Sequence, residues 1–340
     1  MTFTMETRFD EIMELCRNYP ELKKILDICL PGEMTEQNTS KTIFDLGERN
    51  AYNAMISLNL IFEELETGKE VYFDLDGEAG TGIFLFHRHP GSPWCFVIPA
   101  GDFVTVDLFK SAGVPIAVEL DRLGVNVAVW RHRTMTDISL SDICTAGTDF
   151  AGKRKAAGTE AEKSCFTKKE HAFLSDMMKD MGAAVSCMIQ SFPDAEDYSV
   201  FGFSSGGVSA ALWGTEAWGY RTGGIQSPGA ERCGYRTGGL LSPGAVVCAF
   251  APLAGKYEGI CPTQLIDADY PPVFLIHGEL DEKVPICHSE QMAQALTEKK
   301  VPHQFVRVAD APHNFGKGFH TEADGWLADA VNFWRTRVSK

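Results

Sequence analysis

The chain has 340 residues, 44% apolar and 23% charged, and its 46 Asp and Glu against 31 Lys and Arg give a formal net charge of −15. Such a chain can bury a large core as one α/β domain with additions or as two domains. The acidic balance argues against nucleic acid and anionic membrane surfaces, which require clustered Lys and Arg, and no run of about 18 apolar residues is present to span a bilayer.

The N-terminal stretch Met1 to Cys16 has no basic segment followed by an apolar run, so no secretory signal is expected. The 10 cysteines include no Cys-x-x-Cys pair. Reduced thiols in a cytoplasmic protein are expected rather than a disulfide framework, with Cys95 and Cys248 buried inside apolar runs.

Residues 1–70 are helical in pattern. Phe9, Ile12, Met13 and Cys16 recur at helical spacing, and Leu22, Ile25, Leu26 and Cys29 continue it beyond Pro20. Ala51, Ala54, Met55, Leu58, Ile61, Phe62 and Leu65 form a longer apolar face stopped by Gly68. This extension suits a cap, an oligomer contact or packing on a sheet edge, and packing is the plainest expectation.

From residue 71 the period changes. Val71 to Leu75 and Ile83 to Phe86 read as strands pairing around an Asp76–Gly82 turn. Trp94 to Ile98 and Val125 to Trp130 are continuous apolar runs, as expected of strands covered on both faces. Between them a helix opens near Pro115 and closes at Gly124. Residues 132–166 are polar, lack a clear period and read as a long loop. Phe173, Met177, Met181, Ala184, Val185 and Met188 then mark a helix.

The stretch Tyr198 to Gly214 follows as apolar strand, Gly202-Phe203-Ser204-Ser205-Gly206, and a helix of small residues. This is Gly-x-Ser-x-Gly in a strand–turn–helix context, the arrangement of a nucleophile elbow. The turn is sharp enough to demand glycine on both sides, and it sets the Ser204 hydroxyl at the positive end of a helix. Downstream, 219–233 and 234–248 are two copies of a 15-residue unit. The second runs into the strand Ala245 to Phe250, so the first reads as a tandem duplication forming a surface loop. Neither copy carries the Gly-Lys-Ser/Thr of a phosphate cradle. Pro272 to Ile276 is a buried strand, Ser289 to Thr297 a helix, Gln304 to Val308 a strand, and Trp326 to Trp334 a closing helix. The alternation of strand and helix argues for an α/β fold with a mostly parallel sheet.

A serine nucleophile needs a base, and the base needs an orienting group. Catalytic groups of a parallel sheet sit beyond the C-terminal ends of its strands. His313 follows the strand ending at Val308 and is the expected base, while His277 reads as structural. Asp281, just past the strand ending at Ile276, is the expected acid. Glu279 competes with it, Asp310 could pair locally with His313, and Asp267 and Asp269 lie at the wrong end of their strand. No cluster with metal-ligand spacing appears, so no metal or other cofactor is expected.

Gly202-Phe-Ser-Ser-Gly-Gly207, then His277-Gly-x-x-Asp281-x-x-Val-Pro285, then Ala311-Pro-His-Asn-Phe315 resembles the α/β-hydrolases, and within them bacterial carboxylesterases grouped with acetylxylan esterases. The likeness covers roughly 80 to 340 and implies an α/β-hydrolase domain over 71–340. It also implies an oxyanion hole from the N–H of Ser205 and those around Gly101 and Asp102. Here the sequence departs from that group. Consecutive glycines and an aromatic are replaced by Pro99-Ala-Gly-Asp-Phe103, and a carboxylate at 102 would repel a developing oxyanion unless it points away. The loop 132–166 is also longer than the group's usual connection.

The expected function is hydrolysis of small acyl esters, acetyl esters of carbohydrates being one candidate, by Ser204, His313 and Asp281 through an acyl-enzyme. The expected partner is a small-molecule ester, with no nucleic acid and no membrane, and with a homo-oligomer left open. Alternatives are a prolyl-oligopeptidase-like peptidase, for which no large β-propeller is present, and a non-catalytic binding protein on the same fold.

Overall fold

The computed structural model describes residues 2–77, 80–135, 160–215, 218–219, 240–255 and 260–338. One sheet of 8 strands runs in the order β1 (Tyr72–Asp76), β2 (Thr81–Phe86), β4 (Asn126–Arg131), β3 (Trp94–Ile98), β5 (Tyr198–Phe203), β6 (Val246–Ala249), β7 (Val273–Leu280), β8 (His303–Pro312). The β1–β2 hairpin is antiparallel, as is β2 on β4, and the other neighbours are parallel.

The central strands are apolar throughout because both faces are covered. Along β3, Cys95 and Val97 enter one core while Trp94, Phe96 and Ile98 enter the other, the period of 2 that a pleated strand imposes. The first core is packed by α1 (Phe9–Asn18), α2 (Pro20–Cys29), α3 (Glu48–Glu66), α4 (Val114–Arg122) and α8 (Trp326–Val338). The second is packed by α5 (Glu160–Ser191), α6 (Ser205–Trp213) and α7 (Cys287–Glu298). The face predicted on α3 is buried at Ala51, Ala54, Leu58, Ile61, Phe62 and Leu65. The N-terminal helices thus share a hydrophobic core with the sheet.

Several boundaries differ from expectation. The stretch 132–166 is helical from Glu160 onward, since good helix formers such as Glu160, Ala161, Glu162 and Lys163 need no apolar period to extend a helix. Strands β7 and β8 run on to Leu280 and Pro312, because ladder hydrogen bonds involve only backbone groups and polar residues can join them. Strand β6 is shorter, Val246–Ala249. Residues 136–159, and residues 220–239 of the tandem repeat, lie outside the described residues, as do 78 and 79 of the hairpin turn. Among the described residues no helix is long and apolar enough to cross a membrane. Cys95 and Cys248 are buried and free.

Candidate active site

Strand β5 delivers Ser204 to the C-terminal edge of the sheet, where the chain reverses into α6. Ser204 sits at φ 50° and ψ −120°, a conformation that costs a non-glycine residue on the order of 1–3 kcal/mol. Its surroundings hold it there: its N–H donates to Ala249 O (3.0 Å) and its carbonyl accepts from Gly207 N–H (2.9 Å). A Cβ at Gly202 would fall 2.4 Å from Gly206 O, and one at Gly206 2.4 Å from Ile98 O. The elbow closes only with glycine on both sides.

The β7–β8 ladder supplies the other two groups. Its last pair is Leu280 with Pro312, after an irregularity between Gly278 and Leu280. Asp281 and His313 are the next residue on each strand, so backbone register alone brings them side by side. His313 Nδ1 lies 2.7 Å from Asp281 Oδ2, and His313 Nε2 lies 3.1 Å from Ser204 Oγ. With Nδ1–H donating to the carboxylate, Nε2 is left as the acceptor for the serine proton. The ring of Phe250 meets the imidazole edge-on at 5.2 Å.

Asp281 has partners besides His313. Its Oδ1 accepts from the N–H groups of Lys283 (2.9 Å) and Val284 (2.8 Å). Its Oδ2 also lies 3.2 Å from His277 Nε2. Burial opposes ionisation of this carboxyl, but the hydrogen bonds from His277, His313 and Val284 outweigh burial and hold it well below the usual carboxylate range. His277 is itself fixed, with Nε2–H reaching Val284 O (2.8 Å) and Nδ1 accepting from Ser289 O–H (2.8 Å). Sequence reasoning assigned His277 to structure and missed its contact with the acid. The i, i+4 spacing to Asp281 is the only local signal.

The competing acids are engaged elsewhere. Glu279 is exposed and pairs with Arg307 (3.1 Å), Asp310 accepts from Glu322 N–H (2.9 Å), and Asp267 accepts from Asp269 N–H (3.0 Å).

The segment after β3 bends back on itself. Gly101, Asp102 and Phe103 have φ of 150°, 55° and 62°. The N–H groups of Val104 (3.0 Å) and Thr105 (2.9 Å) both donate to Gly101 O, and a Cβ at Gly101 would fall 1.8 Å from Thr105 O. The Asp102 carboxylate is half exposed and lies 3.8 Å from Lys283 Nζ, so a cation faces it. Gly101, Asp102, Ser204 and His313 line one cavity of ≈ 1090 Å³. Ser205 is buried behind Ser204 as the first residue of α6, where a backbone N–H has no acceptor within its helix.

Long-range ties that no motif reveals join the loops. Ser111 Oγ is 2.6 Å from Asp107 Oδ2 and 2.8 Å from the Asn314 side-chain amide. Its one proton goes to the carboxylate, so Asn314 must turn its NH2 toward the serine. Helix α3 grips both loops: Arg49 Nη2 donates to Asn314 O (2.9 Å), and Asn53 Nδ2 donates to Lys110 O. Ile28 and Cys29 at the end of α2 join the cavity wall. Among the described residues no group of three or more His, Cys, Asp or Glu could hold a metal ion.

Residues 174–340, which contain Ser204, Asp281 and His313, match the prolyl oligopeptidase family. No curated protein matches the chain. Among solved structures, similarity extends to an acetyl ester-xyloside bifunctional hydrolase from Caldicellulosiruptor lactoaceticus, 15% identical over 77% of this chain and 90% of that one, TM-score 0.54. A sugar hydrolase from Lactococcus lactis is 15% identical over 80% of this chain and 99% of that one, TM-score 0.54. An α/β hydrolase from a Medee basin deep-sea metagenome is 15% identical over 79% and 97%, TM-score 0.53. At these identities the likenesses show a shared fold.

Proposed function

We propose that this chain, an α/β-hydrolase by fold, is a serine carboxylesterase acting on small acyl esters, acetyl esters of carbohydrates among them. The observation that carries the reading is the continuous contact from Ser204 Oγ to His313 Nε2 (3.1 Å) and from His313 Nδ1 to Asp281 (2.7 Å). In this mechanism Ser204 attacks the ester carbonyl as His313 Nε2 takes its proton, and the buried Asp281 carboxylate stabilises the imidazolium. The oxyanion of the tetrahedral intermediate is met by the N–H of Ser205 and those around Gly101 and Asp102. His313 then gives the proton to the departing alkoxide, leaving acyl-Ser204. Water, deprotonated by the same imidazole, attacks the acyl group and frees the acid. Lys283 beside Asp102 offsets the repulsion that a carboxylate near the oxyanion would exert.

The experiment is Ser204→Ala assayed on p-nitrophenyl acetate. Loss on the order of 10⁶ in kcat, with the melting temperature unchanged, is expected, and undiminished turnover would end the proposal. The family match over 174–340 favours a second reading, a serine peptidase built on the same three residues. p-Nitroanilide substrates cleaved faster than the corresponding p-nitrophenyl esters would select it. A binding protein without catalysis predicts that a fluorophosphonate probe leaves Ser204 unlabelled.

A further inference from the structure

The cavity that holds Ser204 and His313 is also lined by Arg131, Lys110 and Lys283 and by Asp102, Asp107 and Glu282. Two of the three acids are engaged. Asp107 accepts hydrogen bonds from Lys110 N–H, Ser111 N–H and Ser111 O–H, and Asp102 faces Lys283. Arg131 is different. It is only partly exposed, yet its guanidinium has no carboxylate within 4.0 Å among the described residues. Its side-chain hydrogen bond is from Nη1–H to Tyr72 Oη at 3.3 Å.

The other partly buried arginines among the described residues make the omission informative. Arg88, 28% exposed, has carboxylates at 2.8, 3.1 and 3.2 Å, and Arg133, 24% exposed, is held by Asp180 and Asp176. Among the described residues, a chain of net charge −15 thus pairs its other partly buried arginines, Arg88 and Arg133, and leaves Arg131 facing the cavity. Charged groups removed from water require a partner. The nearest acid in its row of the sheet, Asp74, is set across Gly82 from Arg131 by register and turns its carboxylate toward Gly77 (3.6 Å to a Cβ built there).

The backbone around Arg131 is arranged for this placement. A Cβ at Gly82 would fall 2.1 Å from Tyr72 Oη, so the missing side chain lets the buried phenol lie across β2 and reach the guanidinium. A Cβ at Gly80 would stand 3.6 Å from Nη2. Tyr72 Oη accepts from Arg131 and so orients the guanidinium, while Tyr72 itself is buried and does not line the cavity.

We infer that Arg131, backed by Tyr72, is a specificity residue that binds a carboxylate, so the preferred substrates are esters bearing a carboxylate on the alcohol or the acyl portion. The inference rests on the esterase reading above. A single guanidinium matches a planar monoanion, whose two oxygens fit its fork of N–H donors.

The test uses the full chain and two pairs of esters of similar size, each with one anionic and one neutral member, 4-acetoxybenzoate with 4-acetoxybenzamide and mono-4-nitrophenyl succinate with 4-nitrophenyl butyrate. The wild type is expected to favour the anionic member of at least one pair. Arg131→Met should lower the anionic-to-neutral ratio of kcat/KM for that pair about ten- to a hundredfold, and Arg131→Lys less. Arg131→Gln replaces Arg131→Met if the latter melts early. A ratio unmoved by the substitution in both pairs, or a wild type that prefers the neutral member of both, overturns the inference. A wild type inert to all four esters and to a fluorophosphonate would instead remove the esterase reading. In that case, calorimetric titration of benzoate into Ser204→Ala, with and without Arg131→Met, decides the carboxylate site: weaker binding supports it and equal binding, or none, overturns it.

Discussion

Asp281 is shared by two imidazoles and two backbone N–H groups, and its replacement separates its two roles. In Asp281→Asn the amide can turn its NH2 toward His313. Nδ1 would then accept, Nε2 would carry the proton, and the ring could no longer take one from Ser204. On the proposed function, a loss on the order of 10⁴ in kcat is expected, as for a Ser-His-Asp triad with the wrong tautomer. The stability effect has a defined pH window. A carboxyl whose folded pKa is depressed contributes stability that is present above its unfolded value, about 3.9, and is lost as pH falls toward the folded value. Asp281→Asn should therefore be less stable than wild type at pH 7 and lose less than wild type on further acidification below about pH 4. Urea melts at pH 7, 4 and 3 measure this, and parallel acid limbs in the two proteins would refute it.

At the scale of elements, register and ties between loops set the site. The run from Leu280 into Asp281 and from Pro312 into His313 follows from the β7–β8 ladder, and Ser111 fastens the loop after β3 to the residue beyond His313. Ser111→Ala leaves Asp107 and Asn314 without that partner and should cost about 1–3 kcal/mol of stability, the usual price of a buried unmet polar group. If the tie positions His313, kcat on p-nitrophenyl acetate should fall about tenfold while KM moves little; a change confined to melting temperature would mean the tie is structural only. Much of this site was legible in the sequence because each residue sits in a local motif: Ser204 between glycines after an apolar run, and Asp281 and His313 just beyond strands. The ties were not. Arg49 and Asn314 stand 265 residues apart, and nothing in either neighbourhood signals a partner. Strand ends were also misjudged, since polar residues such as Glu279 and Asp310 continue a ladder without any hydrophobic period. Arg131 lies one residue past the strand expected over Val125 to Trp130, and its lack of a carboxylate partner among the described residues is visible only in space.

For the molecule as a whole, acid stability pits two effects against each other. Lowering the pH from 7 titrates away the net charge of −15, which relaxes self-repulsion and favours the compact state. Against this stand buried neutral imidazoles. His288 is 2% exposed, and its Nδ1 accepts from Ala254 N–H (3.0 Å). Burial, and after it the neighbouring His277, push its pKa down to about 4, with Asp281 opposing. His132 is likewise pushed down, chiefly by burial. A histidine that stays neutral in the fold lets the unfolded chain bind the proton first. Its stability is complete above about 6.5 and is lost as pH falls toward the folded value. A shift of this size at His288 corresponds to roughly 3 kcal/mol, a large fraction of the stability of an ordinary domain. The imidazole term should therefore win, and the melting temperature should fall between pH 7 and 4.5 despite the shrinking net charge. His288→Asn places Oδ1 where Nδ1 accepted from Ala254 and removes the titration, so its melting temperature should be flatter over that range. A wild type that gains stability on acidification to pH 4.5, or a variant with the same slope, would show that charge repulsion and not His288 governs this limb.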